Sequence, residues 1–143
     1  MAIERTLCIV KPDAVEKHKS GAILARLEEE GFEIVALRRT HLTKRQAEGF
    51  YAVHRERPFF GELVTFMTRS PVVIAILQRD SAVTKYREVM GATDPAKAAP
   101  NTLRKLFGSN VGENAVHGSD SLENAKIEIA YFFPASEVAP SAG

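Results

Sequence analysis

The order of elements legible in this chain predicts an α+β sandwich of the ferredoxin-like βαββαβ kind, a four-stranded antiparallel sheet with helices packed on one face. Three observations lead there. Short runs rich in β-branched residues at 6–10 (TLCIV) and 72–77 (VVIAIL) are bounded by breakers and read as buried strands. An amphipathic helix starting near Ser20 links the first of them to a strand at 32–39, which gives β-α-β. After two extra helices the order β-α-β returns, ending in a last helix.

Each element has its own signal. Ser20 is placed to cap the first helix, Ile23, Leu24 and Leu27 share its inner face, and Gly31 suits a left-handed C-terminal position. FEIVALRR (32–39) partly alternates, as a strand with one wetter face does. Thr43 and Gln46 have capping-box spacing ahead of Ala47, Phe50 and Tyr51, and Pro58 ends or interrupts that helix. A second short helix carries Leu63, Val64, Phe66 and Met67 up to Ser70-Pro71. Asp80 or Ser81 starts a helix with Val83, Tyr86 and Met90 in one stripe and Gly91 as its stop. Between 91 and 113 only a turn of helix at 102–107 stands out, and so long a loop in a compact domain is usually functional or disordered. NAVHG reads as a short final strand, and SDSLENAKIEIAYFF as a helix with Leu122, Ala125, Ile129 and Phe132 inward. The tail PASEVAPSAG reads as a loosely held terminus.

With 143 residues and no linker-like stretch, the chain is sized for a single domain, 1–143, whose residues after about 134 form the tail. Such a domain buries roughly 68–70% of its unfolded surface. A formal charge of +1 gives no long-range field toward nucleic acid or membrane, so partners must be argued from sites. Apolar runs such as VVIAIL fall far short of the ~18 residues that suggest a membrane span, and a soluble cytoplasmic protein is expected. The single cysteine, Cys8, lies in an apolar run and reads as core.

No glycine is followed by lysine, and neither G-x-G-x-x-G nor H-E-x-x-H occurs, so phosphate chemistry here needs a device other than a Walker loop. His117, in NAVHGSDS (114–121), is a candidate. A neutral imidazole, with an ordinary pKa of about 6.5, is a nucleophile near neutral pH. Its attack on a terminal phosphoryl group gives a phosphohistidine that can pass the group on. The plainer alternative is a hydrogen-bonded structural histidine. Gly118 permits close approach, while Ser119, Asp120 and Ser121 offer caps and exposed amides at a helix start. Glu128 shares a helical stripe with Ser121 but lies about 10 Å further along the axis. It can orient the imidazole only where that helix packs back across the histidine strand.

A polyphosphate also needs cationic clamps, and Arg87, Thr93 and Arg104 stand before and within the long loop. Each is also readable as a solvated or turn residue. Lys11 follows a strand end, a common ligand position. In RPFFGEL one phenylalanine suits the core and the other, Phe59, can stack on a base. His18, His41 and His54 lack ligand-like spacing and read as surface or structural residues. LRRTHLTKR reads as a solvated strand edge and helix start rather than a nucleic-acid patch.

Taken together, ERTLCIVKPDAV, YAVHRERPFFGELVTFM, REVMGATDPAKAAPNTLR and NAVHGSDSLENAKIEIAYFF resemble the nucleoside diphosphate kinase family from about residue 3 to 133. The resemblance implies transfer of the γ-phosphate of a nucleoside triphosphate, typically ATP, to a nucleoside diphosphate. It implies ping-pong kinetics through phosphorylated His117, with Mg²⁺ bridging nucleotide phosphates instead of sitting in a carboxylate cage. By motif, Lys11 and Asn114 contact the ribose and the phosphate it presents, and Phe59 stacks on the base. Arg87, Thr93 and Arg104 hold phosphates, Tyr51 lies beside the histidine, Glu128 orients it, and the Val111 backbone lines the base site. A homo-oligomer, tetramer or hexamer built from dimers, is implied as well. Ala14, Asn101, Leu106 and Glu113 depart from the family pattern, and Asn101 is expected to keep its turn because asparagine tolerates left-handed geometry.

Two rival readings make different demands. A phosphohistidine carrier needs His117 but neither Phe59 nor a polyphosphate clamp. A nucleic-acid module on this fold needs exposed aromatics on its central strands, where the sequence offers at most Phe32.

Overall fold

The structure, a computed structural model, describes residues 2–138. In chain order its elements are β1 (Ile3–Val10), α1 (Pro12–Glu16), α2 (Ser20–Glu29), β2 (Glu33–Thr40), α3 (Lys44–Phe50), α4 (Phe60–Met67), β3 (Val72–Asp80), α5 (Ala82–Met90), α6 (Leu103–Phe107), β4 (Val116–Gly118) and α7 (Leu122–Phe132). The strands form one sheet in the order β2-β3-β1-β4, every pairing antiparallel. This is the ferredoxin-like sandwich the sequence predicts, with one correction.

Helices cover both faces of the sheet. Alternate residues of a strand point to opposite sides, and on β1 Cys8 and Val10 pack with Ile23 and Leu27 of α2 and Tyr86 and Met90 of α5. Leu7 and Ile9 pack instead with Ala47 of α3, Val64 and Met67 of α4 and Phe132 of α7. The first six residues of β3, VVIAIL, are all buried. An unbroken apolar run marks a strand covered on both faces, and two extra helices plus α7 supply the second layer.

Local signals explain most boundaries. Thr43 Oγ1 accepts from the Gln46 amide at 3.1 Å, and Gln46 Oε1 accepts from the Thr43 amide at 2.9 Å, so the capping box forms. Gly31 has φ +90°, as its place after α2 requires. Asn101 takes φ 69°, which keeps the expected turn. Two expectations fail. Ser20 is the first helical residue and Lys19 occupies the cap position without a side-chain bond. Leu122 is 40% exposed rather than inward, because α7 begins there before it reaches the sheet. The sequence reading also missed α1, which Pro12 and Asp13 start as a first-turn proline and a first-turn acid. Phe32 is buried, edge-on to Tyr86, and is no platform for a base. Part of the tail, 134–138, is described, with Arg38 donating to the Phe132 carbonyl and pairing with Glu137; residues 139–143 of it lie outside the described residues.

Candidate active site

β4 is three residues long and pairs only with β1, Ile9 opposite His117. Opposed residues on an antiparallel pair share a face, so His117 points toward the layer that holds α7 while Val116 and Gly118 point away. The sequence reading required α7 to pack back across the histidine strand; it packs along β1, the strand paired with β4, and from there Glu128 reaches the imidazole. His117 Nε2 lies 2.9 Å from Glu128 Oε1, and Ser119 Oγ donates to that same oxygen at 2.8 Å. A carboxylate can only accept, so the imidazole proton sits on Nε2 and the lone pair on Nδ1. Among the described residues Nδ1 has no hydrogen-bond partner. Both side chains are about one-fifth exposed, at 20% and 22%. The pair is sheltered from bulk water but open to a ligand.

The backbone of the histidine is fixed as firmly as its ring. Tyr86 Oη donates to the His117 carbonyl at 2.9 Å. Tyr86 and Met90 press so close to Gly118 that a Cβ there would stand 2.6 Å from Met90 and 2.7 Å from Tyr86. What approaches this glycine is the packing of α5. Phe50 meets the imidazole edge-on, with ring centroids 5.4 Å apart. Two residues earlier Ala115 has φ 74°, an uncommon geometry for a side-chain-bearing residue. Its amide donates to buried Asp13 Oδ2 at 3.1 Å, and its carbonyl accepts from the Lys11 amide at 2.8 Å. Strain of this kind persists where the surroundings over-determine it.

Lys11 Nζ donates to Asn114 Oδ1 at 2.8 Å, and buried Asn114 donates to the Thr93 carbonyl at 3.0 Å. Burial, and after it the nearby Arg104 charge, push the Lys11 ammonium down to about 8, against the pull of Asp13. Burial raises the Asp13 carboxyl. Arg104 donates to the Val116 carbonyl at 2.9 Å and to the Gly91 carbonyl at 3.1 Å, and its Nε is buried without a partner among the described residues. With Arg87 and Thr93 it lines a cleft of about 350 Å³. A larger cleft of about 580 Å³ is lined by Lys11, Phe59, Leu63, Phe66 and Val111 among others. Phe59 and Val111 are about half exposed, at 47% and 55%, and His54 packs against Phe59 with ring centroids 5.5 Å apart. Tyr51 is buried, its hydroxyl without a partner among the described residues, and burial and then the Glu128 charge hold that phenol well above its ordinary range.

Of the ten residues singled out in the sequence, Lys11, Thr93, Arg104, Asn114, His117 and Glu128 are connected by hydrogen bonds directly or through the backbone of residues 114–117. Arg87 joins them as a wall of the smaller cleft, Tyr51 through the field of Glu128, and Phe59 and Val111 as lips of the larger cleft. Neither cleft includes His117; Lys11 and Asn114 form the link between the base-sized space and the histidine strand. Sequence reasoning missed three supports. Ser119 anchors Glu128 nine residues away, Asp13 anchors Ala115, and Tyr86, read only as core, anchors His117. Nothing in their spacing marks contacts that depend on tertiary packing. Among the described residues no group of three His, Cys, Asp or Glu side chains could hold a metal ion, and no helix is long and apolar enough to cross a membrane.

These features meet known proteins over nearly the whole chain. The nucleoside diphosphate kinase family model matches residues 4–138. A nucleoside diphosphate kinase of Sorangium cellulosum is 67% identical over 142 residues, 99% of each chain. One of Methylobacterium radiotolerans is 62% identical over 139 residues, 97% of this chain and 99% of the relative. The crystal structure of the Aquifex aeolicus nucleoside diphosphate kinase superposes with a TM-score of 0.94 at 50% identity, over 96% of this chain and 100% of that one. The Halobacterium salinarum enzyme, solved in complex with CDP, gives 0.93 at 37% identity, over 99% and 95%. A histidine held on its ring and its backbone, beside arginines and a base-sized cleft, is thus found in a chain that belongs to the nucleoside diphosphate kinases and transfers phosphate from nucleoside triphosphates to nucleoside diphosphates.

Proposed function

We propose that the transfer runs in two steps through His117. Nδ1 attacks the γ-phosphorus of the bound triphosphate, typically ATP, the bond to the β,γ-bridging oxygen breaks, and the diphosphate leaves with that oxygen. A second diphosphate enters the same site, a terminal oxygen of its β-phosphate attacks the phosphohistidine, and the P–N bond breaks. The observation that carries this reading is the 2.9 Å contact of His117 Nε2 with Glu128, which leaves Nδ1 as the open nitrogen. Glu128 orients the ring and balances the charge it gains on phosphorylation, with Ser119 keeping the carboxylate in place. Tyr51, its phenol kept protonated, lends a donor beside Glu128.

Phosphoryl transfer asks mainly for positioning and charge neutralisation. Arg87, Thr93 and Arg104 take the phosphates, Lys11 and Asn114 the ribose and the phosphate it presents, and Phe59 with the Val111 backbone encloses the base. The family's kinases need a divalent metal. The donors of this site are cationic or neutral, which suits phosphate oxygens and not a metal ion, so Mg²⁺ is proposed to arrive on the nucleotide's own phosphates. Bound there, it neutralises phosphate charge. Residues 1–143 are proposed to act as one domain in the cytoplasm, assembled into a homo-oligomer of dimers, tetramer or hexamer.

The direct test mixes the protein with Mg²⁺ and γ-labelled ATP without acceptor. An acid-labile, alkali-stable phosphoprotein labelled on His117, discharged by a different nucleoside diphosphate as its triphosphate, is the expected result. Labelling that nucleotides do not discharge, as in a carrier, or no labelling at all, overturns the two-step reading.

A further inference from the structure

The larger cleft has two walls on separate elements. One is α4 with its cap residue Phe59, presenting Phe59, Leu63 and Phe66; the other is the turn 110–113 that carries Val111. That turn is closed on itself: Asn110 Oδ1 accepts from the amides of Gly112 and Glu113 at 3.0 and 2.9 Å, and the Ser109 amide donates to the Glu113 carbonyl at 2.8 Å. Its internal bonds give the turn a shape of its own, so its position is set by what ties it to the rest of the protein. At one end Lys17 donates to Ser109 Oγ at 2.9 Å.

At the other end stands Arg69, just past α4. Its Nε and Nη2 donate to the two carboxylate oxygens of Glu16 on α1 at 2.9 and 2.7 Å, and Nη2 reaches Glu113 Oε1 at 3.2 Å. Ser70 Oγ adds a third donor to Glu16 at 2.7 Å. The guanidinium also lies over the ring of Phe66, 5.0 Å from its centroid. A lone exposed ion pair contributes little, but a bidentate pair that shares its guanidinium with a second carboxylate and an aromatic face fixes geometry. Arg69 therefore bonds the turn through Glu113 and stacks on the α4 wall through Phe66, while Glu16 of α1 holds its guanidinium in place.

The geometry points to Arg69 and Glu113 as a clasp that presets the width of the base cleft, making them positioning residues for the nucleotide base. This rests on the cleft being the base site. A preset cleft spares the nucleotide from ordering the turn on binding, so the clasp acts on saturation and not on the transfer step, and only for ligands that have a base.

Single-turnover phosphorylation of the full chain by ATP and by the base-free analogue ribose 5-triphosphate separates these effects, with Phe59→Ala as the control for the cleft itself. Arg69→Gln and Glu113→Gln should each raise the half-saturating ATP concentration about 3–10-fold, the range of a small ion-pair network. The limiting rate should stay within about 2-fold, the double variant should do no more than either single one, and ribose 5-triphosphate should be unaffected. Equal weakening for both phosphoryl donors would assign Arg69 to the fold or the phosphates and overturn the clasp. An effect of Phe59→Ala on ATP with none from either clasp variant overturns the clasp alone. No effect on ATP from Phe59→Ala removes the base-cleft reading and the clasp with it.

Discussion

Around His117 the imidazole is tied to Glu128, Glu128 to Ser119 and the His117 carbonyl to Tyr86, and the strand that carries it is locked to β1 and α5. Phe59 and Val111, by contrast, stand about half exposed on a helix start and a turn. On the proposed two-step reading, the histidine end must bring one nitrogen to a phosphorus atom, whereas the base end holds a flat ring that only has to be covered. Phosphate geometry is the same for every nucleotide and bases are not, so rigidity at one end and openness at the other suit an enzyme that accepts many nucleotides. Breaking the histidine end should therefore stop chemistry, and breaking the base end should only weaken binding.

The largest effect is expected from His117→Ala. Phosphorylation by ATP should be lost altogether while nucleotide affinity, measured by calorimetric titration, changes no more than a few-fold, because the imidazole is a reactant more than a binding group. A variant that still exchanges phosphate would remove His117 from the mechanism. Glu128→Gln comes next. An amide keeps the shape but neither carries the balancing charge nor fixes which nitrogen is protonated, and transfer should slow by about 10–10³-fold, the scale of a lost orienting group in acid–base sites. An unchanged rate in rapid-quench measurements would leave Glu128 a helix-surface residue.

How much of this contrast the sequence carried depends on whether a contact is local. The capping box at Thr43, the left-handed Gly31 and Asn101 and the buried run 72–77 were readable because periodicity and backbone preference act within a few residues. His117 and its proposed partners were readable through the family resemblance, and Glu128 came with a geometric condition that α7 satisfies from the neighbouring strand β1. The helices α3, α4 and α7 were legible but their placement on the second face was not, although VVIAIL has the unbroken apolar character of a strand covered on both sides. Ser119, Asp13 and Tyr86 are polar or ordinary core residues by type, and only tertiary packing gives them their partners.

A medium effect, and one with a pH signature, is expected at Lys11. With its ammonium pushed down to about 8 from 10.5, Lys11 in the free enzyme loses its proton as pH rises through that value, and kcat/KM should fall about tenfold per pH unit above it. Bound phosphates favour the ammonium, so the limb in kcat lies at higher pH. The sign for stability is opposite. The folded state releases this proton before the unfolded state does, so the destabilisation from a buried ammonium is complete below about pH 8 and is relieved as pH rises toward 10.5. Lys11→Met should flatten both profiles, read by steady-state kinetics and by thermal melts over the same range. An alkaline limb that survives in Lys11→Met belongs to another group.

The smallest effect should come from Phe59→Ala, at the open end. Base–aromatic stacking is worth about 1–3 kcal/mol per base, and a ring 47% exposed and already in contact with His54 belongs at the low end of that range. KM for nucleotides should rise about 5–10-fold with kcat within about 2-fold, since the ring touches nothing that reacts. The rise should be similar for purine and pyrimidine diphosphates, because every base offers a π-face and none of its hydrogen-bonding edges is needed for stacking. A loss confined to one base would mean that the cleft reads an edge, through Asn110 or Glu62, which also line it, and that the base end is as closely specified as the histidine end. A fall in kcat matching the rise in KM would mean that the base wall reaches the phosphate through Lys11, and the contrast between the two ends would dissolve into a single coupled site.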